Sequence, residues 1–121
     1  MLKFIRKSRK VRQARFYFEE KIVILVIMIV ILYNIRSLHN VGSIFRTADA
    51  VGVEKIYLVG ITPSPVDKFG KPRRQFAKVS LGAEKYVEWD DSTRSPKAIL
   101  KLFKKLKSEG YKILAIEQAK N

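Results

Sequence analysis

The stretch at residues 34–52, NIRSLHNVGSIFRTADAVG, follows the most apolar run of the chain, which occupies residues 22–33. A β-branched run, then a polar turn, then an apolar pattern of helical period is typical of a strand that leads into a helix in an α/β domain. Polar side chains collect where this strand should end, and ligands of open α/β sheets bind at that end. The turn is therefore the first candidate for a functional site.

The helix after the turn is predicted to begin at Asn40, whose side chain can accept a hydrogen bond from a backbone N–H two or three residues further on. Its apolar stripe would then comprise Ile44, Ala48 and Val51. Gly52 is expected to end the helix, because glycine readily adopts a positive φ.

Two arginines accompany the turn: Arg36 lies within it, and Arg46 lies about one and a half turns into the predicted helix. Guanidinium groups near a helix N-terminus favour a bound anion, and phosphate is the obvious one. A solvated basic turn before a capped helix is the alternative interpretation, because basic turns are common.

Specified residue types recur at fixed spacing through this stretch, as Asn34-x-Arg36-x-x-x-Asn40-x-Gly42-x-x-x-Arg46-x-Ala48-x-x-x-Gly52. The pattern closely resembles the first motif of the SpoU/TrmH-type RNA 2′-O-ribose methyltransferases of the SPOUT class. The resemblance continues through KIYLVG at residues 55–60 and KVSLGA at residues 78–83. It covers roughly residues 24–117.

The resemblance implies catalytic roles for Arg46 and Asn40. In such enzymes the arginine of the helix contacts RNA phosphate and helps to activate the attacking 2′-hydroxyl, and the asparagine helps to place the same region. A fixed cation near a ribose hydroxyl stabilises the alkoxide character that develops during attack. Because an arginine is a poor base, the resemblance is better explained by this electrostatic role than by proton abstraction from the hydroxyl.

The fold implied is α/β: the parallel-sheet, Rossmann-like half of an α/β-knot (SPOUT) domain without the C-terminal knot. In full-length relatives the later segments bind S-adenosylmethionine and build much of the homodimer interface, and nothing in this sequence matches them. S-adenosylmethionine is thus implied as cofactor, with its binding residues unassigned. We expect residues 1–20 to be a basic N-terminal extension and residues 21–121 a partial methyltransferase domain.

The composition of the 121 residues is that of one folded domain, with 47% hydrophobic and 30% charged residues. The absence of cysteine excludes disulfides, thiolate metal sites and a cysteine nucleophile. Because His39 is the sole histidine, a multi-histidine metal centre is excluded too, and no metal is expected.

The net charge of +14 indicates a polyanionic partner, either nucleic acid or an anionic membrane surface. Together with the resemblance it favours RNA, either tRNA or rRNA, in the cytoplasm, and neither DNA nor a membrane. The apolar run at residues 22–33 is shorter than the roughly twenty residues that span a bilayer, so a buried strand, at about residues 26–33, is preferred to an anchor. The basic block before it is interpreted as an amphipathic helix or as an arm that orders on RNA.

Residues 62–78 are predicted to form a long connection that mixes basic residues with Phe69 and Phe76. Such a mixture suits phosphate contacts and base stacking; the alternative is a solvated loop whose phenylalanines pack into the core. The candidate RNA-binding residues are Arg36, His39, Lys68, Lys71, Arg73, Arg74 and Lys78.

The remaining elements follow from apolar periodicity and capping residues. Strands are predicted at residues 55–59, 85–89 and 112–117, with a short helix or turn at residues 79–84. A helix capped by Ser95 should run to about residue 109 and end at Gly110. Its apolar face comprises Ile99, Leu102, Phe103 and Leu106.

Three functional interpretations remain open at this point. The chain is an RNA 2′-O-methyltransferase of which this sequence is an incomplete part, or it is a non-catalytic RNA-binding module. In the third interpretation, the N-terminal basic block and the apolar run attach the protein to a membrane surface.

Overall fold

The computed structural model describes residues 2–7, 17–18, 21–22 and 27–117. The elements in chain order are β1 (Leu2–Lys7), β2 (Tyr17–Phe18), β3 (Lys21–Ile22), β4 (Met28–Tyr33), α1 (Leu38–Val51), β5 (Lys55–Val59), α2 (Arg74–Ser80), a 3-10 helix (Ala83–Lys85), β6 (Glu88–Asp90), α3 (Pro96–Ser108) and β7 (Tyr111–Ile116).

The main sheet has the strand order β6-β5-β4-β1-β7. Its strands β4, β5 and β6 run parallel, with Ile31 paired to Tyr57 and Tyr57 paired to Asp90. Strand β1 runs antiparallel to both β4 and β7, while β2 and β3 pair separately with each other. The predicted α/β class with a parallel sheet is therefore confirmed for the three strands that precede and follow α1 and α2.

Strand β4 is buried on both of its faces, which explains why its sequence is continuously apolar. Val30 and Leu32 pack into the core beneath α1 and α2, whereas Ile29 and Ile31 pack into the core beneath α3. The preferred interpretation of this run as a buried strand is confirmed. Residues 23–26 of the run lie outside the described residues.

The two cores have different contents. On one face of the sheet the rings of Phe45 in α1 and Phe76 in α2 meet edge to face, with centroids 5.2 Å apart. On the other face Ile99, Leu102 and Leu106 of α3 are buried. Phe103 is half-buried against the same core, so the predicted apolar face of α3 is confirmed.

Helix α3 also begins and ends where its sequence indicates. The Ser95 side chain accepts a hydrogen bond from the N–H of Ala98 at 3.2 Å, and Pro96 occupies the first turn. The helix ends at Ser108, two residues before Gly110, whose φ is +89°.

Several sequence predictions differ from the structure in position or type. Residues 2–7 form a strand of the sheet rather than a basic helix or arm. Helix α2 begins at Arg74, inside the predicted connection, and ends at Ser80, inside the predicted segment 79–84. The strand expected at residues 85–89 is Glu88–Asp90, because Lys85 belongs to the 3-10 helix. The last strand begins one residue early, at Tyr111.

Candidate nucleic-acid interface

The N-terminus of α1 is capped by Ser37 rather than by Asn40. Ser37 has extended backbone angles, φ −79° and ψ 117°, and its side-chain oxygen accepts a hydrogen bond from the N–H of Asn40 at 3.1 Å. Asn40 therefore donates to the cap from the first turn of the helix. The predicted C-terminus is confirmed, since Gly52 adopts φ +74° and donates to the carbonyls of Ala48 and Asp49.

The buried face of α1 is centred on Val41, Phe45 and Ala48. Ile44 is half-buried at its margin, and Val51 is 65% exposed, so the predicted stripe through Val51 is wrong. At about 100° per residue, Val51 lies roughly a quarter of a revolution from the centre of the buried face, on the flank of the helix.

The turn between β4 and α1 is joined to the end of β5 by Asn34. The Asn34 side-chain oxygen accepts a hydrogen bond from the N–H of Ile61 at 3.1 Å. Asn34 itself has φ +53°, and Gly60 has φ +66°. A Cβ atom at Gly60 would lie 2.0 Å from that Asn34 oxygen, so only glycine fits beside it.

The buried hydroxyl of Thr62 forms a hydrogen bond with the same turn. The Thr62 oxygen accepts a hydrogen bond from the N–H of Ile35 at 3.2 Å and lies 2.9 Å from the carbonyl oxygens of both Leu32 and Val59. Thr62 is 1% exposed. The first residues after β4 and β5 are thus fixed relative to each other by side-chain hydrogen bonds.

Arg94 joins the loop after β6 to this arrangement. Its Nη1 atom donates to the Gly60 carbonyl at 3.0 Å and to the Thr62 carbonyl, and its Nε atom donates to the Asp91 carbonyl at 2.7 Å. Sequence reasoning missed both Thr62 and Arg94. No local pattern could identify them, because their partners lie about thirty residues away in the chain.

The predicted residues of the turn lie on the surface around this fixed frame. Arg36, His39 and Asn40 are exposed at the start of α1, and Arg46 is exposed further along it. Arg46 lies eight residues after Leu38, so the rise of the helix places it about 12 Å from the N-terminus. Arg36, which precedes α1, and Arg46, about two turns into it, therefore do not form a pair at the N-terminus of the helix.

Arg46 makes no hydrogen bond, ion pair or ring contact with any residue in the described part of the chain. A surface arginine that is not engaged by its own protein has its full set of five donors available to an external anion.

Helices α1 and α2 are in direct contact next to Arg46. A Cβ atom at Gly42 would lie 3.2 Å from the Val79 Cβ and 3.4 Å from the Phe76 carbonyl oxygen, which shows how closely the helices approach. Arg46 follows Gly42 by one turn of α1, and Lys78 precedes Val79 in α2. The two cations are therefore carried by the two helices that meet at this contact, each within one turn of it.

The basic residues of α2 and of the connection before it are also exposed: Lys68, Lys71, Arg73, Arg74 and Lys78. Arg74 and Lys78 are one turn apart on the outer side of α2. Arg73 has a structural contact as well, because its Nε atom donates to the Val66 carbonyl at 3.1 Å.

The two phenylalanines of this region have opposite surroundings. Phe76 is fully buried, as the alternative of a core-packed loop required, whereas Phe69 is 75% exposed. The alternative therefore holds for Phe76 and fails for Phe69.

A pocket of about 220 Å³ lies on the flank of α1, lined by Val30, Ser43, Ile44, Thr47, Ala48, Val51 and Val53. Its lining contains two hydroxyl groups and no charged side chain. It does not suit S-adenosylmethionine, whose sulfonium and amino-acid groups need polar and charged partners. Among the residues that the structure describes, no group of three potential ligands is placed to hold a metal ion.

A three-stranded parallel sheet, a polar turn fixed at its strand ends and a following helix that carries an exposed arginine define an α/β protein. The sequence matches the SpoU rRNA Methylase family over residues 27–121. The chain belongs to this family, which confirms the resemblance carried by the first motif, and membership implies RNA methyltransferase activity on an RNA substrate.

No curated protein and no solved structure matches the chain. None of the helices within the described residues has the length and apolar character needed to cross a bilayer.

Proposed function

We propose that the protein transfers a methyl group from S-adenosylmethionine to a ribose 2′-hydroxyl of tRNA or rRNA in the cytoplasm. The observation that carries the proposal is that Arg46, on the helix after the fixed turn, is exposed and has no partner among the described residues. Family membership over residues 27–121 supports the reaction class.

Arg46 acts in this proposal as the electrostatic activator. A ribose hydroxyl is a weak nucleophile, and its oxygen gains negative charge as it attacks the methyl group. A guanidinium next to that oxygen stabilises the charge, and removing one donor to a developing oxyanion typically costs about 100-fold to 1,000-fold in rate. Arginine stays protonated, so the hydroxyl proton leaves to water rather than to Arg46.

The other predicted residues hold the RNA. Asn40, in the first turn of α1, positions the ribose beside Arg46, and Arg36 and His39 contact the neighbouring phosphate. Phosphate contacts further along the RNA fall to the exposed cations of the connection and of α2: Lys68, Lys71, Arg73, Arg74 and Lys78. Each phosphate contact adds affinity that weakens as salt concentration rises.

S-adenosylmethionine supplies the methyl group when bound. The pocket beside α1 does not suit it, so no residue described above is assigned to cofactor binding. We propose that the protein acts as a homodimer, as the full-length relatives implied by the resemblance do.

Methyl transfer from tritiated S-adenosylmethionine to tRNA and rRNA transcripts tests this function, with mass spectrometry of digested RNA to identify a 2′-O-methylated nucleoside. Arg46→Ala should lower kcat/KM by about 100-fold or more and change RNA affinity by less than about threefold. The control is Lys104→Ala, because Lys104 is an exposed cation on α3, across the sheet from α1. A variant that loses RNA affinity while kcat is retained would show that Arg46 binds and does not activate.

A non-catalytic RNA-binding module is the second candidate, and the net charge of +14 with the exposed cations of the connection favours it. Calorimetric titration of S-adenosylmethionine into the purified chain separates the two. Micromolar binding supports the enzyme, whereas salt-dependent RNA binding without cofactor binding or methyl transfer supports the module.

A further inference from the structure

The connection between β5 and α2 contains a closed turn at residues 67–71, here called the tip. The Asp67 N–H donates to the Lys71 carbonyl at 2.8 Å, and the Gly70 N–H donates to the Asp67 carbonyl at 2.9 Å. The Asp67 carboxylate accepts from the N–H groups of Phe69 and Lys71 at 2.8 and 3.0 Å. One carboxylate therefore fixes the backbone on both sides of Phe69.

The base of the tip is fixed as well. The Val66 carbonyl accepts from the Ser64 hydroxyl at 2.8 Å and from the Arg73 Nε atom at 3.1 Å. The Arg73 N–H donates to the Pro65 carbonyl at 2.9 Å, and Ser64 and Pro65 are buried. The tip thus projects from a base that is anchored in the domain.

Phe69 stands on this fixed tip with 75% of its surface exposed. Exposing a phenylalanine forgoes the free energy that its burial would contribute, and Phe76 shows that this same region can bury one completely. The exposure of Phe69 therefore does not contribute to the stability of the fold.

One cation lies next to the exposed ring, and a second follows it in the chain. The Lys68 ammonium lies 5.0 Å from the centroid of the Phe69 ring, and Lys71 is exposed two residues further on. The only carboxylate of the tip, that of Asp67, is engaged by backbone N–H groups. An aromatic face with adjacent cations is the chemistry that binds a nucleobase by stacking and its phosphates by charge.

We propose that Phe69 stacks on an unpaired base of the RNA substrate while Lys68 and Lys71 contact the flanking phosphates. The base must be unpaired, because the bases of an A-form duplex are already stacked on each other and present no free face. The proposal rests on the proposed function and narrows its substrate to RNA in which a loop, bulge or end lies within reach of the tip.

The experiment compares binding of a stem-loop RNA and of a fully paired duplex with the same stem, measured by fluorescence anisotropy. Phe69→Leu keeps an apolar side chain and removes the stacking face. It should weaken stem-loop binding by about 5-fold to 150-fold, which corresponds to the usual value of one base–aromatic contact, and leave duplex binding unchanged. Phe69→Trp should retain or tighten stem-loop binding.

Tyr86→Leu is the matched control, since Tyr86 is 79% exposed and lies beyond α2, outside the tip. It should bind both RNAs as the unmodified protein does. Lys71→Ala should weaken both RNAs and reduce the slope of log K against log salt by about 0.7 to 0.9, as the loss of one phosphate contact does.

Equal stem-loop affinity of Phe69→Leu and the unmodified protein would overturn the proposal. Equal losses on stem-loop and duplex, or a loss with Phe69→Trp as large as with Phe69→Leu, would overturn it too, because both would point to a general or apolar contact. Methyl transfer is assayed in parallel. If Phe69 is needed for the stem-loop preference but no methyl transfer occurs, the proposed methyltransferase function is refuted and the stacking contact is supported. If methyl transfer occurs but stem-loop binding does not depend on Phe69, only the stacking contact is refuted.

Discussion

The side-chain oxygen of Asn34 lies 3.1 Å from the backbone nitrogen of Ile61 and accepts its hydrogen bond. This contact joins the residue after β4 to the second residue after β5, at the edge of the sheet where α1 begins. Asn34 also has a positive φ of +53°, which asparagine tolerates better than most residues.

Asn34→Ala should destabilise the fold by about 2–3 kcal/mol, of which about 1 kcal/mol is the lost hydrogen bond and the rest the left-handed backbone. Asn34→Gly loses the same hydrogen bond but accepts the backbone, so it should cost only about 1 kcal/mol. Urea unfolding followed by circular dichroism measures both. Equal losses would show that the left-handed conformation does not persist at this position.

Gly60→Ala should destabilise by about 2–3 kcal/mol, because it adds a methyl group 2.0 Å from the Asn34 oxygen and places alanine at φ +66°. The double variant Asn34→Gly with Gly60→Ala should cost less than the sum of the two single variants, since the clash is already gone. A double-mutant cycle from unfolding free energies gives the coupling. If the losses in unfolding free energy of the two single variants were additive in the double variant, residues 34 and 60 would not be in contact.

Thr62→Val should cost about 1–3 kcal/mol, because it leaves the N–H of Ile35 without its buried acceptor. Thr62→Ser retains the hydroxyl and loses one methyl group, so it should cost about 1 kcal/mol. Thermal unfolding of the two variants ranks them. If serine were the more damaging substitution, packing rather than hydrogen bonding would be the role of Thr62.

Arg94→Lys should loosen the strand-end turn nearly as much as Arg94→Ala, because a single ammonium cannot reproduce a guanidinium bonded to the carbonyls of Gly60, Thr62 and Asp91. Hydrogen exchange by NMR should show faster exchange of the Ile35 and Ile61 amides in both variants. Protection retained with lysine would show that charge alone is sufficient.

The hydroxyl of Ser92, which donates to the Asp90 carboxylate at 2.6 Å, lowers the pKa of Asp90 below its ordinary value of 3.8. The ionised carboxylate is therefore favoured by folding. This contribution to stability is complete above the ordinary pKa and is lost as the pH falls through the lower pKa of the folded state.

Asp90→Asn should accordingly make the free energy of unfolding less sensitive to pH below about 4. Urea titrations at pH 7 and pH 3 measure this, and Asp49→Asn is the control because its exposed carboxylate accepts no hydrogen bond within the described residues. An Asp90→Asn protein that loses as much stability in acid as the unmodified protein would contradict the assignment. In Ser92→Ala the pKa of Asp90, followed by NMR, should rise towards its ordinary value.

The elements predicted best are those whose signals are local. Ser95 with Pro96 marks the start of α3, Gly52 marks the end of α1, and the apolar run marks β4. The cap of α1 was misassigned because Ser37 and Asn40 are both good capping residues. Their roles are decided by the extended backbone at Ser37, which no local pattern reveals.

The candidate site was predictable only in part. The motif singled out Arg46, and the structure shows that Arg46 is exposed and unengaged within its described residues. Its role and those of the other candidate residues stay predictions. The frame that positions them, built by Asn34, Thr62 and Arg94, depends on three strand ends meeting in space, and pairings across about thirty residues leave no signal in a single sequence.

The close contact of α1 with α2 at Gly42 allows a substitution to change the arrangement of the helices without changing any charged residue. Any side chain larger than hydrogen there must move α2 by a few tenths of an ångström, because the Val79 Cβ would lie 3.2 Å from the added atom. Arg46 lies on α1 and Lys78 lies on α2. A substitution at Gly42 that moves α2 therefore alters the spacing of these two cations without altering either charge. Divergence at Gly42 and Val79 would thus change the geometry of the proposed RNA-binding surface while its candidate residues stay the same.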